Sequence, residues 1–372
     1  MSINKHWGRT LDYYLIIPIF LLLTIGFILV YSASPVIAQR FFLSQDYFIR
    51  RHIVYMVLSL AVLLVFSFAS TRMVFHLSLV GFIFSIVLII AVLVLGGEVK
   101  GAKRWLYIFK VSIQPSEFMK PFFSVVIAGV LASNIKFKVQ VSIIIFLLVF
   151  VMLLLQPDFS MSMLLTYSWV AQMFVACTPF LYFMYIGGII VAGVTVAYFC
   201  LPHIKQRIYN FLFFSQHDNF QVTKSLEAFT RGGLTGVGPG EGTVKMLLPD
   251  CYTDFIFSVL AEEFGLIMCL ITLALFGIIA VRLFYITYRE SELFNLLAVL
   301  GISIQFITQF IINVGVTLSI FPTTGMTLPL LSYGGSSLLS SSIALGVMLS
   351  FSKRQSMELN FRERIAAAKF LE

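Results

Sequence analysis

The chain has 372 residues, of which 59% are hydrophobic and only 11% are charged, and its formal net charge is +8 at pH 7. A soluble protein carries roughly 25% charged residues, because water must wet its surface. The composition therefore excludes an ordinary soluble domain, a disordered chain and a disulfide-stapled scaffold. Lipid is the solvent that suits most of this surface, so the sequence predicts a membrane-spanning protein.

Ten stretches are long and apolar enough to cross a hydrocarbon core about 30 Å thick, which needs about 20 helical residues. We predict an all-α integral membrane protein, a bundle of about ten transmembrane helices that forms one polytopic domain over residues 1–372. Between the fifth and sixth spans, Gln156, Pro157 and Asp158 are costly in lipid and mark a break. The spans cover approximately residues 13–33, 53–69, 76–95, 118–133, 141–155, 160–177, 180–200, 255–281, 294–319 and 334–352.

The first span follows Lys5 and Arg9 and is too long for a cleavable signal peptide, so we predict a retained anchor with a cytoplasmic amino terminus. Ten spans return the carboxyl terminus to the same side. The predicted outer loops carry as many cations as the inner ones, which membrane topology does not require. These outer cations indicate either an anionic partner such as a phosphate group or contact with membrane lipid headgroups.

A large extracytoplasmic loop is predicted over residues 201–253, between spans seven and eight. Its first part, residues 203–214, has the amphipathic pattern of a helix lying in the membrane interface. Its second part, residues 231–242, is dense in glycine and includes Gly238 and Gly240. A glycine-rich backbone can cradle phosphate oxygens, and a plain turn is the alternative. The segment lacks the ending of a P-loop, and the cysteines and histidines show no metal-ligand spacing.

Five acidic residues lie at the end of a predicted span or inside it: Glu117, Asp158, Asp254, Glu262 and Glu263. Charges in such positions are costly, by about 2.5 to 3.5 kcal/mol at the bilayer centre, so we expect them to be paired or functional. Glu262 and Glu263 cannot both face lipid and should contact polar groups of the bundle. Asp254 opens the eighth span, where it is either a helix cap or a general base, and Lys120 lies close enough in predicted depth to pair with it.

Six segments, in this order along the chain, make up a recognisable series: residues 101–106, 114–120, 155–158, 225–240, 253–263 and 328–337. With them the chain resembles the SEDS family of peptidoglycan polymerases, which is named for shape, elongation, division and sporulation. Residues 322–329 resemble the division branch of that family more than the elongation branch. Two segments depart from the family pattern. Residues 250–252 read Asp-Cys-Tyr, where members often have a histidine before the threonine, and only Gln221 is clearly retained in residues 214–221.

The resemblance implies that the chain transfers growing glycan to lipid II, a disaccharide-pentapeptide on undecaprenyl diphosphate, at the outer face of the cytoplasmic membrane during cell division. It places the family's catalytic aspartate on Asp254, its lysine partner on Lys120, and two other important positions on Glu117 and Arg104. It also implies a class B penicillin-binding transpeptidase and other division proteins as partners. We expect no nucleic-acid partner, no cofactor and no metal ligands, with a divalent cation as an open alternative.

The hypothesis is an inverting glycosyl transfer in which Asp254 removes the proton from the acceptor 4-hydroxyl. The candidates for stabilising the departing diphosphate are Lys103, Arg104, Lys120 and Lys245, of which Arg104 and Lys120 are preferred. Glu117, Gly238 and Gly240 are further substrate-contact candidates, and the expected supporting residues are Glu262, Glu263, Gln114, Gln221 and Ser332. The rival functions are a lipid II flippase, an elongation-branch polymerase and a non-catalytic division scaffold.

Overall fold

The computed structural model describes residues 12–99, 102–108, 111–200 and 216–369. Helices dominate it, and each of the ten predicted spans coincides with one. Among the described residues, eight helices have the length and hydropathy of a membrane span, and the other two predicted spans are the 17-residue α6 and the 21-residue α7. The helices are α1 (Tyr13–Arg40), α2 (Tyr47–Phe68), α3 (Thr71–Leu95), α4 (Pro115–Ala132), α5 (Lys138–Leu155), α6 (Phe159–Val175), α7 (Phe180–Cys200), α8 (Gln216–Gly232), α9 (Ile256–Arg289), α10 (Leu293–Thr317) and α11 (Gly335–Lys369).

The break between α5 and α6 follows from local chemistry. Helix α5 ends at Leu155, ahead of Pro157, whose ring cannot continue a helical hydrogen-bond ladder. Asp158 then starts α6, because its carboxylate accepts a hydrogen bond from the Met161 N–H at 3.5 Å. This buried acid therefore caps α6, and it also accepts a hydrogen bond from the Ser116 hydroxyl at 3.3 Å.

A small antiparallel sheet, which the sequence analysis did not predict, precedes α4. Its strands are β1 (Gly97–Val99), β2 (Ala102–Ile108) and β3 (Val111–Ile113), with β2 in the middle. The second pairing sets Leu106 opposite Ile113. Strands this short are stable only when they pack on a larger body, so their existence is a tertiary property. The sheet delivers Arg104 and Trp105 to one end of the bundle.

The centre of the bundle is formed by α4, α10 and the first part of α11. In their apolar windows 78%, 67% and 89% of the residues are buried, against 28% in α3 and α5, which present most of their surface to lipid. The central helix α10 is polar on one face, where Gln305, Gln309 and Asn313 follow one another at four-residue spacing and are all buried. Such a polar stripe inside a membrane protein indicates a functional interior.

The predicted large loop contains a helix of its own. Residues 203–214, the proposed interfacial helix, lie outside the described residues, whereas α8 occupies the middle of the loop. Helix α8 docks on the bundle through Ser225, whose hydroxyl donates to the Thr317 carbonyl at 2.6 Å and lies 2.6 Å from the Ser258 hydroxyl. The loop is therefore anchored on α9 and α10.

Helix α9 is broken near its start, at Gly265, which has φ 74° and ψ −174°. The break frees backbone groups that lipid could not satisfy, and the glycine-rich segment 233–238 provides their partners. Four hydrogen bonds join the two segments: Val237 N–H to Glu262 C=O (3.0 Å), Gly238 N–H to Glu263 C=O (3.0 Å), Leu266 N–H to Gly233 C=O (2.9 Å) and Ile267 N–H to Leu234 C=O (3.2 Å).

Glycine is required at this junction because the two backbones touch. A Cβ atom on Gly236, whose φ is 81°, would lie 2.2 Å from the Glu263 carbonyl oxygen, and one on Gly265 would lie 2.4 Å from the Gly236 nitrogen. The proposed phosphate cradle is therefore not what the structure shows. The Gly238 N–H is already bonded, and the segment closes the break in α9.

Replacement of Gly236 by alanine should destabilise the protein, because the added methyl group forces the loop away from the break and the φ is unfavourable for an L-residue. We expect the apparent melting temperature in detergent to fall by about 5 °C or more. Gly277→Ala in the same helix is the matched control, since nothing lies within 4 Å of its added Cβ atom. Equal melting temperatures for the two variants would contradict this account of the junction.

Candidate active site

A cavity of about 680 Å³ opens at the end of the bundle where α4, α9 and α11 begin. Its wall combines the small sheet, the first turns of α2, the segment before α9 and the loop 323–327. Five of the predicted site residues line it: Asp254, Glu117, Arg104, Gln114 and Gln221. The other predicted site residues are absent from the lining that the structure describes: Lys103, Lys120, Lys245, Gly238, Gly240, Glu262, Glu263 and Ser332.

Asp254 stands in the turn before α9 and is not the residue at the helix N-cap, which is Phe255. Its backbone is held by Asn313 of the polar stripe, whose side-chain amide donates to the Asp254 carbonyl at 2.9 Å and to the Met326 carbonyl at 2.7 Å. Gly325 lies beside the carboxylate, since a Cβ atom there would be 3.7 Å from Asp254 Oδ2. One amide therefore fixes Asp254 against the loop 323–327.

The two residues before Asp254 are fixed from α11's side. The Ser332 hydroxyl donates to the Thr253 carbonyl at 2.5 Å and accepts from the Leu328 N–H at 2.8 Å. The Tyr333 N–H donates to the Tyr252 carbonyl at 2.9 Å. Ser332, predicted as a supporting residue, thus touches the backbone next to Asp254 without reaching the cavity itself.

Arg104 joins the sheet to the corner between α5 and α6. Its guanidinium donates to the carbonyls of Gln156, at 3.4 Å, and Pro157, and lies 3.7 Å from the Asp158 carboxylate. About a fifth of the side chain stays exposed, toward the cavity. Arg104 therefore has a fixed position and still presents positive charge to the cavity.

Lys120 is paired with Glu117, and this differs from its expected position beside Asp254. The two charges are 2.6 Å apart, and the Lys120 ammonium also donates to Gln309 Oε1 at 2.7 Å. Gln309 in turn donates to the Thr327 carbonyl at 2.8 Å. Depth along a helix can be read from sequence, but the direction of a side chain around the bundle cannot. Glu117 faces the cavity, and Lys120 lies one turn deeper.

Lys245 is buried and cannot serve as the diphosphate clamp for which it was a candidate. Its ammonium contacts the Glu263 carboxylate, the Ser32 hydroxyl at 2.8 Å and the Gly240 carbonyl at 3.0 Å. These three partners use all three of its donors. The Gly240 carbonyl therefore accepts a hydrogen bond from Lys245. Lys103 is exposed on β2 and is absent from the described cavity lining.

Glu262 contacts the loop in a different way. Its carboxylate accepts hydrogen bonds from three successive backbone N–H groups, those of Thr243 at 2.7 Å, Val244 at 2.8 Å and Lys245 at 3.1 Å. The Arg231 guanidinium lies 3.8 Å away. Both acids of this pair contact polar groups, as expected, but those groups belong to the loop and to α1.

Several cavity residues were missed by the sequence analysis. Asn313 had a detectable signal, because it continues the four-residue spacing of Gln305 and Gln309 within an apolar helix. Arg51 at the start of α2, whose guanidinium lies 4.7 Å from the centre of the Tyr47 ring, was recognised only as one of many loop cations. Tyr252 and Tyr333 carried no signal in their spacing.

Tyr252 shares the cavity with the carboxylates of Glu117, Asp250 and Asp254. Burial, followed by the negative charges of Asp250 and Asp254, raises the pKa of Tyr252 to about 12. The phenol is therefore a neutral hydrogen-bond donor at neutral pH. Among the residues that the structure describes, no three His, Cys, Asp or Glu side chains form a group suited to a metal ion.

Comparison with known proteins gives concordant results. The family model described as "Cell cycle protein" and labelled for FtsW, RodA and SpoVE matches residues 13–357. A protein of Caulobacter vibrioides named probable peptidoglycan glycosyltransferase FtsW is 35% identical over 354 residues, which cover 94% of this chain and 91% of that protein. A protein of Thiomicrospira cyclica with the same name is 36% identical over 355 residues, covering 92% and 91%.

Two solved structures have the same fold. One is a chain from a structure described as showing the structural coordination of polymerization and crosslinking by a peptidoglycan synthase complex. It superposes with a TM-score of 0.76 at 26% identity, over 93% of this chain and 98% of that one. The rod shape determining protein RodA of Thermus thermophilus gives a TM-score of 0.66 at 25% identity, over 94% and 98%.

The buried Lys245–Glu263 pair should matter for stability. Lys245→Met leaves the Glu263 carboxylate buried without its cation, which typically costs about 3–5 kcal/mol, and the melting temperature in detergent should fall clearly. Lys224→Met is the matched control, because its ion pair with Glu227 is partly exposed and worth about 1 kcal/mol or less.

A double variant, Lys245→Met with Glu263→Met, should recover much of the loss, since replacing both charges removes the unpaired one. A Lys245→Met protein with the parental melting temperature would show that this pair does not hold the loop to α1.

Proposed function

Because this chain belongs to the FtsW, RodA and SpoVE family of cell cycle proteins, we propose that it is a peptidoglycan glycosyltransferase of the FtsW type that polymerises lipid II during cell division. It is a multi-pass protein of the cytoplasmic membrane. We place its termini in the cytoplasm and its active site at the outer face, where lipid-linked sugars are joined. The likeness to a chain of a peptidoglycan synthase complex supports a penicillin-binding transpeptidase as its partner.

The observation that carries this proposal is the placement of Asp254. Its carboxylate lies in the wall of a cavity large enough for a sugar and a diphosphate, and its backbone is held by Asn313. A general base must be fixed within hydrogen-bond reach of the proton that it removes. The neighbouring carbonyls bonded to Ser332 and Tyr333 restrict the same segment further, so the base is pre-organised.

The reaction proceeds as one displacement. The Asp254 carboxylate accepts the proton of the acceptor 4-hydroxyl while that oxygen forms a bond to the anomeric carbon of the growing glycan. The bond from that carbon to the diphosphate oxygen breaks, and its electron pair leaves with the lipid diphosphate. Attack opposite the leaving group inverts the anomeric configuration.

Positive charge in the cavity serves the leaving group. Of the described residues that line the cavity, the cationic ones are Arg51 and Arg104. The negative charge that develops on the departing diphosphate is stabilised by fixed cations in a site of low dielectric constant. Arg104 is fixed by the corner between α5 and α6, and Arg51 takes the part that the sequence analysis gave to Lys245. Lys120 supports the site through Gln309 and the loop 323–327.

Asp254→Asn should lower the rate of glycan formation at least about 100-fold, because the amide keeps the shape of the side chain but cannot accept the proton. The measurement is polymerisation of lipid II by the purified protein in detergent, scored on a gel with and without the transpeptidase. Asp46→Asn is the control, since Asp46 is an exposed carboxylate paired with Arg50 at 3.2 Å.

Polymer at the parental rate from the Asp254→Asn protein would refute the general-base assignment. If the parent itself, at full folding and with the transpeptidase present, moves lipid II between leaflets but makes no polymer, the chain is a flippase and the polymerase proposal fails.

Asn313 is a positioning residue for Asp254, and its loss should lower kcat more than it raises KM. Asn313→Ala removes the amide that fixes the Asp254 and Met326 carbonyls, and we expect a fall in kcat of about 10-fold. Gln305→Ala, two turns away on the same face of α10, should retain kcat within about 3-fold. Equal losses of kcat in the two variants would show that the whole polar stripe, rather than the contact with Asp254, matters.

A further inference from the structure

We propose that the Tyr252 hydroxyl binds the acceptor sugar of the glycosyl transfer, by donating a hydrogen bond to a hydroxyl that flanks the reacting 4-hydroxyl. This inference rests on the proposed function and assigns a binding role to a residue that stands two positions before the general base. Asp254 and Tyr252 line the same cavity, and both belong to the short turn that precedes α9.

The Tyr252 ring is held in place from two sides. Its centre lies 5.5 Å from that of Phe48 in α2 and 5.4 Å from that of Tyr333 before α11, and both ring pairs are tilted. The Tyr252 carbonyl is fixed by the Tyr333 N–H at 2.9 Å. The ring therefore has little freedom, and binding a ligand through it costs little conformational entropy.

The hydroxyl at the end of that ring is available to a ligand. Among the residues that the structure describes, none is hydrogen-bonded to the Tyr252 phenol oxygen, and the residue is only partly buried. Burial and two nearby carboxylates raise the pKa of Tyr252 to about 12, so the phenol is a hydrogen-bond donor at neutral pH. A neutral donor suits a sugar hydroxyl, whereas a phosphate would be served better by a cation.

The Tyr252 hydroxyl belongs to a residue only two positions before Asp254, the proposed general base. The Thr253 carbonyl accepts a hydrogen bond from the Ser332 hydroxyl at 2.5 Å. This bond fixes the backbone between Tyr252 and Asp254. Because Tyr252 and Asp254 line the same cavity, we expect a sugar whose 4-hydroxyl meets the Asp254 carboxylate to bring a neighbouring hydroxyl, at carbon 3 or 6, to the Tyr252 phenol. Tyr252 then sets the orientation of the acceptor ring and discriminates against sugars that lack the contacted hydroxyl.

The test uses the full-length protein in detergent with lipid II as acceptor. Tyr252→Phe keeps the ring and its packing but removes the donor, and we expect KM for lipid II to rise about 3- to 10-fold while kcat stays within about 2-fold. Tyr288→Phe is the control, since Tyr288 is 86% exposed near the other end of α9. Melting temperatures of both variants should equal that of the parent, which separates binding from folding.

Two lipid II analogues sharpen the result, one lacking the 3-hydroxyl and one lacking the 6-hydroxyl of the acceptor sugar. With the parent protein, one of the two analogues should raise KM as much as the Tyr252→Phe substitution does. With the Tyr252→Phe protein, the same analogue should raise KM no further. Additive losses for both analogues, or an unchanged KM in Tyr252→Phe, would overturn the inference. Failure of the proposed function itself is distinct, because the parent would then make no polymer at all.

Discussion

The constraint on which this structure depends is that no backbone polar group at membrane depth can be left without a partner. An unbroken helix satisfies its own backbone groups, but α9 breaks at Gly265 and leaves two carbonyls and two N–H groups without partners inside the helix. The glycine-rich segment 233–238 satisfies all four. This pairing sets the direction of residues 256–264, and with them the direction of the turn that carries Asp254. The glycine-rich segment 233–238, which resembles a ligand-binding loop in sequence, thus determines the geometry of the cavity without lining it.

Buried charge follows the same rule in the same region. The Glu262 carboxylate is stabilised by hydrogen bonds from backbone N–H groups, whereas Glu263 is neutralised by Lys245 and Glu117 by Lys120. These charges are costly to leave unpaired, so their partners are structurally committed and are not available to a substrate. The cavity wall carries Arg51, Arg104, Glu117, Asp250 and Asp254, and in the proposed mechanism Asp254 is the base and Arg104 lies beside the leaving group. Burial and hydrogen-bond partners therefore distinguish the charges that stabilise the fold from those that line the cavity.

Much of the protein could be predicted from the sequence. Each predicted span coincides with a helix, the division at Pro157 was placed correctly, and the family assignment is confirmed by the matches over residues 13–357. Asp254, Glu117 and Arg104 reach the cavity. The roles of Lys120, Lys245 and Gly238 could not be foreseen, because each depends on a partner more than ten residues away or on the direction of a side chain around the bundle. The small sheet was missed since its strands are too short to be stable alone.

The sequence by itself determined that this is a helical membrane protein, where its ten apolar spans lie along the chain, and which acidic residues must be paired or used. These properties are local, because hydropathy and the cost of a charge in lipid are set by each residue and its near neighbours. Only the tertiary structure decided which cation meets which carboxylate, and which residues share the cavity with Asp254. Partner choice depends on how distant helices are rotated against one another, and the order of residues along the chain does not contain that rotation in readable form.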